Sequence, residues 1–119
     1  MKLTDIVEKL ELEIKSGHGL SALDREVSGG FVSDILSNVL TNAEQDNIWV
    51  TYQKHLNIIP IASAKEISAI IVVSGRQPDD ETLEKADAEN IPVLGTRMNA
   101  FHVVGKLYQL GIRGSDENV

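Results

Sequence analysis

The chain repeats one local pattern, in which a short apolar run is followed by a small or polar turn and then by an amphipathic stretch. The pattern occurs four times, with turns at Ser28-Gly29-Gly30, Tyr52–His55, Ser74-Gly75-Arg76 and Gly95-Thr96-Arg97. Strands that are separated by single helices pair in parallel, with helices covering the sheet. We therefore expect an α/β fold, a three-layer α/β/α sandwich around a small, mostly parallel sheet of four to five strands.

The apolar runs place the predicted strands at 12–14, 25–28, 47–51, 68–73 and 91–94. The clearest of them contains Ala69-Ile70-Ile71-Val72-Val73, which is apolar at every position, as in a strand that is covered on both faces. Pro92 cannot donate a ladder hydrogen bond, so the last strand is predicted to lie near an edge of the sheet.

The helical periodicity predicts helices over 4–10, 32–43, 57–65, 79–89 and 98–110. Thr4 and Asn57 are predicted N-caps, and Gly111 is predicted to end the last helix. At 119 residues the chain is long enough for one core. We expect a single domain over 1–112 and a flexible polar tail over 113–119.

The net charge of the chain limits the kinds of partner that it can bind. Eighteen acidic residues against 11 basic ones give a net charge of −7, which disfavours nucleic acid and anionic membranes as partners. No apolar run approaches the roughly 18 residues that a membrane-spanning helix requires. There is no cysteine, and the chain begins with charged residues instead of an apolar signal sequence. We therefore expect a cytoplasmic protein.

The turns indicate where a ligand would bind, because ligands of open α/β sheets bind in the crevice at the carboxyl ends of the strands. The expected ligand is a small anion or a nucleotide. The candidate ligand-binding residues are Ser28, Gly29, Gly30, Thr51, Gln53, His55, Asn57, Ser74, Gly75, Arg76 and Thr96.

Each candidate also has a purely structural explanation. Glycines such as Gly29 and Gly30 let a backbone approach an anion at a helix N-terminus, but a tight turn requires glycine as well. Arg76 is suited to a carboxylate or phosphate, and it is equally typical of an exposed loop.

A polar set lies at alternate positions after the third predicted strand. In an extended chain these side chains point to one side, where they can bind a polar ligand or cap the turn and the next helix. The set is Thr51, Gln53, His55 and Asn57.

No catalytic residue, cofactor or metal site is predicted. Neither GxxxxGK[ST] nor GxGxxG occurs, which disfavours a self-contained kinase or nucleotidase. His55 is a candidate general base, but no partner that would orient it is apparent. His18, His55 and His102 share no metal-ligand spacing. The acidic group at 79–81 and Glu84 suits the positive end of a helix dipole.

Beyond these patterns, the chain resembles the DRTGG-domain family. The resemblance rests on segments 26–37, 51–57, 74–79 and 91–94. Glu26, Val27 and Ser28 replace the first three residues of the family's name, and only the two glycines agree. The resemblance implies a small regulatory α/β module, similar in fold to the N-terminal domain of HPr kinase/phosphorylase and found alone or attached to phosphotransacetylases and CBS-domain proteins. The kinase chemistry of that enzyme belongs to a P-loop domain.

Together these observations favour a non-enzymatic regulatory or ligand-sensing module. A homodimer is expected, because an aliphatic domain of this size leaves apolar helix surface for a symmetric partner. One alternative is a protein-binding adaptor for a metabolic enzyme or kinase. Another is a small enzyme that uses His55.

Overall fold

One five-stranded sheet forms the middle of the molecule, and the computed structural model describes residues 1–17 and 20–115. The strands are β1 (Glu13–Ser16), β2 (Gly29–Val32), β3 (Asn47–Thr51), β4 (Ala69–Val72) and β5 (Val93–Gly95). Their order is β1-β5-β4-β3-β2, and only β1 runs antiparallel to its neighbour. The predicted mostly parallel sheet is confirmed.

Helices cover both faces of this sheet. They are α1 (Leu3–Leu10), α2 (Leu20–Leu23), α3 (Leu36–Asn42), α4 (Ile58–Ala64), α5 (Asp80–Ala88) and α6 (Ala100–Gln109). Helices α1 and α6 belong to one core cluster, and α3, α4 and α5 belong to the other. The predicted three-layer sandwich is therefore confirmed. No helix in the described ranges is long and apolar enough to cross a membrane.

The alternation of side chains along the strands creates these two cores. Ile48 and Val50 of β3 belong to the core of α1 and α6, whereas Trp49 between them belongs to the core of α3, α4 and α5. In a strand that is buried on both faces, every side chain is removed from water. Burial of each large apolar group stabilises the fold by about 1.5–3 kcal/mol. The indole Nε1 of Trp49 donates to the carbonyl of Ser33 at 2.9 Å, so its polar atom is satisfied.

The prediction of a strand over 25–28 and a turn at Ser28-Gly29-Gly30 is wrong. Gly29 and Gly30 begin β2, at the amino end of the strand, and neither has a positive φ. A Cβ on Gly29 would lie 2.6 Å from the carbonyl oxygen of Arg113, and the Gly30 N–H donates to that oxygen at 2.9 Å. Glycine is required here because the chain after α6 crosses close to β2.

The last predicted strand lies near an edge of the sheet, as expected, but it is not the edge strand itself. Strand β5 lies between β4 and β1, and Pro92 immediately precedes it. The missing N–H of the proline therefore removes no hydrogen bond from β5. Ser16 completes this region, since its hydroxyl donates to the Ile91 carbonyl at 2.8 Å and accepts from the Val93 N–H at 2.9 Å.

Two predicted helix starts differ from the structure, and a third has the predicted residue at its N-cap without the capping hydrogen bond. Thr4 is not the N-cap of α1, because Lys2 occupies that position, and the Thr4 hydroxyl donates to the Leu23 carbonyl at 2.9 Å. Helix α3 begins later than predicted because residues 29–32 form β2. Asn57 occupies the N-cap position of α4 without a capping hydrogen bond from its side chain.

Gly111 follows α6 with a φ of +94°, which confirms the predicted C-terminal glycine. The division between a domain over 1–112 and a tail over 113–119 stays a prediction, and residues 116–119 lie outside the described residues, as do His18 and Gly19.

Candidate functional site

Four loops meet at the carboxyl edge of the sheet, where the parallel strands end. Three are predicted turns, those after β3, β4 and β5, whereas the loop after β2 is Ser33-Asp34. Ser28, Gly29 and Gly30 lie at the opposite edge, so they do not contribute to a site at the carboxyl ends. The crossovers through α3, α4 and α5 stay on one face, but the chain after β5 passes to α6 on the other face.

This change of face opens a cleft between the loops after β4 and β5. Such a point, where successive connections leave a sheet on opposite sides, is where ligands of open α/β sheets bind. The cleft has a volume of about 730 Å³. The antiparallel direction of β1 brings Glu13 opposite Gly95, so the start of β1 and the end of α1 also reach it.

The cleft is rich in positive charge, and we call it the basic cleft. Five of the 11 basic residues line it, together with only two carboxylates, in a protein whose net charge is −7. The cations are Lys9, Lys15, Arg76, Arg97 and Lys106, and the carboxylates are Glu11 and Glu13. A concave surface lined by one sign of charge attracts ligands of the opposite sign.

The cations differ in how they are held. Lys15 contacts Glu13 at 3.1 Å and donates to Gln77 at 3.1 Å. Arg76 donates from Nε to the Tyr52 carbonyl at 3.2 Å. The other three cations are Lys9, Arg97 and Lys106, and none of them makes an ion pair within residues 1–17 and 20–115.

The loop after β4 is held by its own backbone. Ser74 and Gly75 have φ values of +60° and +69°, and their N–H groups donate to the carbonyls of Met98 and Thr96, both at 2.8 Å. The Arg76 N–H donates to Val73 at 3.2 Å. These amides already have acceptors, unlike the free amides of a phosphate-binding nest. These three amides are therefore already used within the protein and do not form an anion-binding nest.

The loops after β2 and β3 form a separate polar network around Asp34. Its Oδ1 accepts from the Thr51 hydroxyl at 2.8 Å and from the Tyr52 N–H at 2.7 Å. Gln53 donates from its side chain to the Asp34 carbonyl at 2.9 Å. Thr51 and Gln53 thus stabilise the loop, in agreement with their structural explanation. Asp34 was not predicted as a loop residue, because the apolar spacing over residues 32–43 indicates a helix.

A second group links the loop after β3 to the start of α5. His55 Nδ1 lies 2.7 Å from Asp79 Oδ2, and Lys54 Nζ lies 3.0 Å from Asp79 Oδ1. Hydrogen bonds from His55 and then Lys54 hold the pKa of Asp79 below its ordinary value. Asp79 is the orienting partner that the sequence did not reveal for His55. His55 does not line the basic cleft, and Asn57 is exposed at the start of α4.

The structure thus separates the predicted site residues. Gly75, Arg76 and Thr96 line the basic cleft, and Ser74 adjoins it. The other four cations were not among the predicted site residues, and three of them, Lys9, Lys15 and Lys106, come from elements that lie apart in the sequence. Their charge was visible, but the pairing of β1 with β5 that assembles them was not.

The fold and the basic cleft define a small α/β domain with a positively charged cleft at the carboxyl edge of its sheet. The family model of the DRTGG domain matches residues 5–110, so the chain belongs to the DRTGG-domain family. No curated protein matches the chain. The predicted likeness to the N-terminal domain of HPr kinase/phosphorylase stays a prediction.

One similar solved structure contains the CBS and DRTGG domains of the regulatory region of a Clostridium perfringens pyrophosphatase, complexed with its activator, diadenosine tetraphosphate. The TM-score is 0.69 at 18% sequence identity, and the match covers 99% of this chain. It covers 52% of that structure, so this chain spans about half of its length. The similarity confirms the fold.

Proposed function

We propose that this domain is a non-enzymatic regulatory module of the cytoplasm that binds a small phosphate-bearing anion in the basic cleft. The observation that carries the proposal is the gathering of five cations around one cleft in a protein with a net charge of −7. The regulatory region of the similar pyrophosphatase structure was complexed with a phosphate-rich activator. The likeness to that regulatory region supports a regulatory role for this chain.

A ligand with several negative charges fits the cleft better than a single carboxylate. Like charges that are brought together raise the free energy of the unliganded protein, and a polyanion relieves that repulsion. Arg76 offers a planar guanidinium suited to two phosphate oxygens, and its Nε is already fixed by the Tyr52 carbonyl. Lysines such as Lys106 add mobile point charges that adjust to the ligand.

A catalytic role for His55 has less support. A general base must lie within hydrogen-bond reach of the proton that it removes. His55 is outside the lining of the basic cleft, and its Nδ1 contacts Asp79. The contact between His55 and Asp79 joins the loop after β3 to the start of α5, and this structural role explains the pair without a catalytic one.

The test is titration with inorganic tripolyphosphate, followed by calorimetry and by thermal unfolding. A ligand at 100 times its dissociation constant adds about 2.7 kcal/mol to the free energy of unfolding. Lys106→Gln removes one charge-assisted contact and is expected to weaken binding about tenfold. Lys85→Gln is the matched control, because Lys85 lies outside the cleft and contacts Glu89 at 3.5 Å. No binding, or equal affinities in all three proteins, would contradict the proposal.

A second, independent proposal is that the domain forms a homodimer through α6 and β2. Phe101, Val104 and Tyr108 form an exposed apolar row on α6, and Phe101 is 86% exposed. Val104 and Tyr108 share an apolar groove with Val32 of β2, which is an edge strand. In a two-fold dimer the same patch covers itself, so the apolar row is removed from water on both protomers.

Sedimentation tests the homodimer. We expect a dimer for the natural chain and a monomer for Phe101→Asp. A 13.0 kDa species at micromolar concentration would contradict the proposal. If the natural chain is a monomer that forms a stoichiometric complex with a metabolic enzyme or kinase, and Phe101→Asp does not form it, the adaptor hypothesis would instead be favoured.

A further inference from the structure

Tyr52 and Arg76 form a stacked pair beside the basic cleft. They follow the neighbouring strands β3 and β4, and the guanidinium carbon lies 4.2 Å from the centre of the Tyr52 ring. The hydrogen bond from Arg76 Nε to the Tyr52 carbonyl fixes the guanidinium in place. Tyr52 is 47% exposed, and Arg76 lines the cleft. We call this pair the Tyr52–Arg76 platform.

The chemistry of this platform differs from that of the rest of the cleft. Aromatic rings and guanidinium planes both stack on nucleobases, whichever base is present. Inorganic phosphate has no flat apolar face that would make use of an exposed aromatic ring. The platform therefore suits a ligand in which a planar group is joined to the phosphates.

The arrangement along the carboxyl edge gives the ligand a direction. The platform lies at β3 and β4, whereas Thr96 and Arg97 follow β5, about 10 Å from the end of β3 at the usual strand spacing. Lys106 and Lys9 line the same cleft from α6 and α1. A planar group at the platform would thus extend its phosphates toward these cations.

We propose that the ligand is a nucleoside polyphosphate, with its base on the Tyr52–Arg76 platform and its phosphates among Lys9, Arg97 and Lys106. This inference rests on the proposed function, because it assumes that the basic cleft binds phosphates. Three cations that make no ion pair among the described residues match a chain of two or more phosphates better than a single one.

The experiment compares ATP with inorganic tripolyphosphate by calorimetry, for the natural chain and for Tyr52→Ala. Loss of the ring is expected to weaken ATP binding by about fivefold or more. Tripolyphosphate affinity should change by less than about twofold, because a ligand without a base gains nothing from stacking. Tyr52→Phe keeps the aromatic face and should retain the affinity of the natural chain for ATP.

A matched control comes from the second stacked pair of the chain. Arg113 lies over the ring of Tyr108 with its guanidinium carbon 3.6 Å from the ring centre, outside the lining of the basic cleft. Tyr108→Ala removes a tyrosine of the same kind. It changes the proposed dimer surface, which does not line the basic cleft, so both affinities should stay unchanged. The comparison therefore separates the platform from a general loss of aromatic surface.

The outcomes distinguish this inference from the proposed function. Equal weakening of both ligands in Tyr52→Ala would overturn the inference, because the ring would then only position Arg76 for phosphate. Unchanged ATP affinity in Tyr52→Ala would overturn it as well, as would a natural chain that binds tripolyphosphate but not ATP. A natural chain that binds neither ligand would overturn the proposed function itself.

Discussion

The carboxyl edge of the sheet has two halves that use polar residues in opposite ways. In the half after β2 and β3, Asp34 accepts from Thr51 and Tyr52, and Lys54 and His55 contact Asp79 at the start of α5. Donors and carboxylates are matched there. In the half after β4 and β5, five cations share one cleft with two carboxylates.

The difference shows that a position at the carboxyl ends of the strands does not by itself identify a binding residue. The polar network stabilises the loops that surround it, and its groups already have partners within the protein. The basic cleft instead retains cations without an ion pair among the described residues, which raises the free energy of the unliganded protein. Unmatched charge, more than location, favours the half in which we propose that the ligand binds.

The largest expected effect tests the polar network. Asp34→Ala removes the acceptor of the Thr51 hydroxyl and the Tyr52 N–H, and hydrogen bonds to a charged group contribute about 1.5–3 kcal/mol each. Because water can reach this loop, we expect the free energy of unfolding to fall by about 2–3 kcal/mol in urea titrations. Tripolyphosphate affinity should not change.

The control for this variant is Glu84→Ala, which removes an exposed carboxylate from α5 and should change stability by less than about 0.5 kcal/mol. If Asp34→Ala were as stable as Glu84→Ala, the network would not hold the loops.

The next effect tests the rigidity of the loop that borders the basic cleft. Gly75 has a φ of +69°, and a Cβ there would meet no atom within 4 Å. Gly75→Ala therefore strains only the backbone, and we expect a loss of about 1–2 kcal/mol in the free energy of unfolding. Gly105→Ala is the matched control, since Gly105 is helical and equally uncrowded. It should gain about 0.5–1 kcal/mol.

A third prediction sets one lysine of each half against the other. Lys54→Gln breaks the contact with Asp79 and should lower stability slightly while leaving tripolyphosphate affinity unchanged. Lys106→Gln should do the reverse, with affinity reduced about tenfold and stability retained. Similar affinities in the two variants, measured by calorimetry, would show that the halves do not differ in function.

The sequence predicted the sheet well wherever the strands are buried. Strand β3 has the bounds that its pattern predicts, because Ile48, Trp49 and Val50 face two cores and must all be apolar. The start of β2 was missed for a different reason. Gly29 is required by contact with Arg113, and a contact so distant in the chain leaves no local pattern.

The site was less predictable than the fold. The loop after β4 was located from Ser74-Gly75-Arg76, but Lys9 and Lys15 reach the cleft only because β1 pairs antiparallel with β5. Hydrophobic periodicity indicates strands and helices, and it does not indicate which strand joins an edge or in which direction. The basic cleft is recognised only from the positions that the fold gives to these charged side chains.

The smallest expected effect concerns how the stability contributed by Asp79, at the start of α5, depends on pH. Hydrogen bonds from His55 and then Lys54 lower the pKa of Asp79 below its ordinary value of 3.8. A carboxyl group with a lower pKa in the folded state stabilises the fold above its unfolded pKa, and this contribution disappears as the pH falls through the folded pKa. Asp79→Asn lacks this titration, so the stability gap between the natural chain and the variant should narrow on acidification below about pH 4. Urea titrations at a series of pH values measure this gap, and Asp80→Asn is the neighbouring control. A gap that stays constant down to about pH 3 would show that the contacts of Asp79 do not favour its charged form.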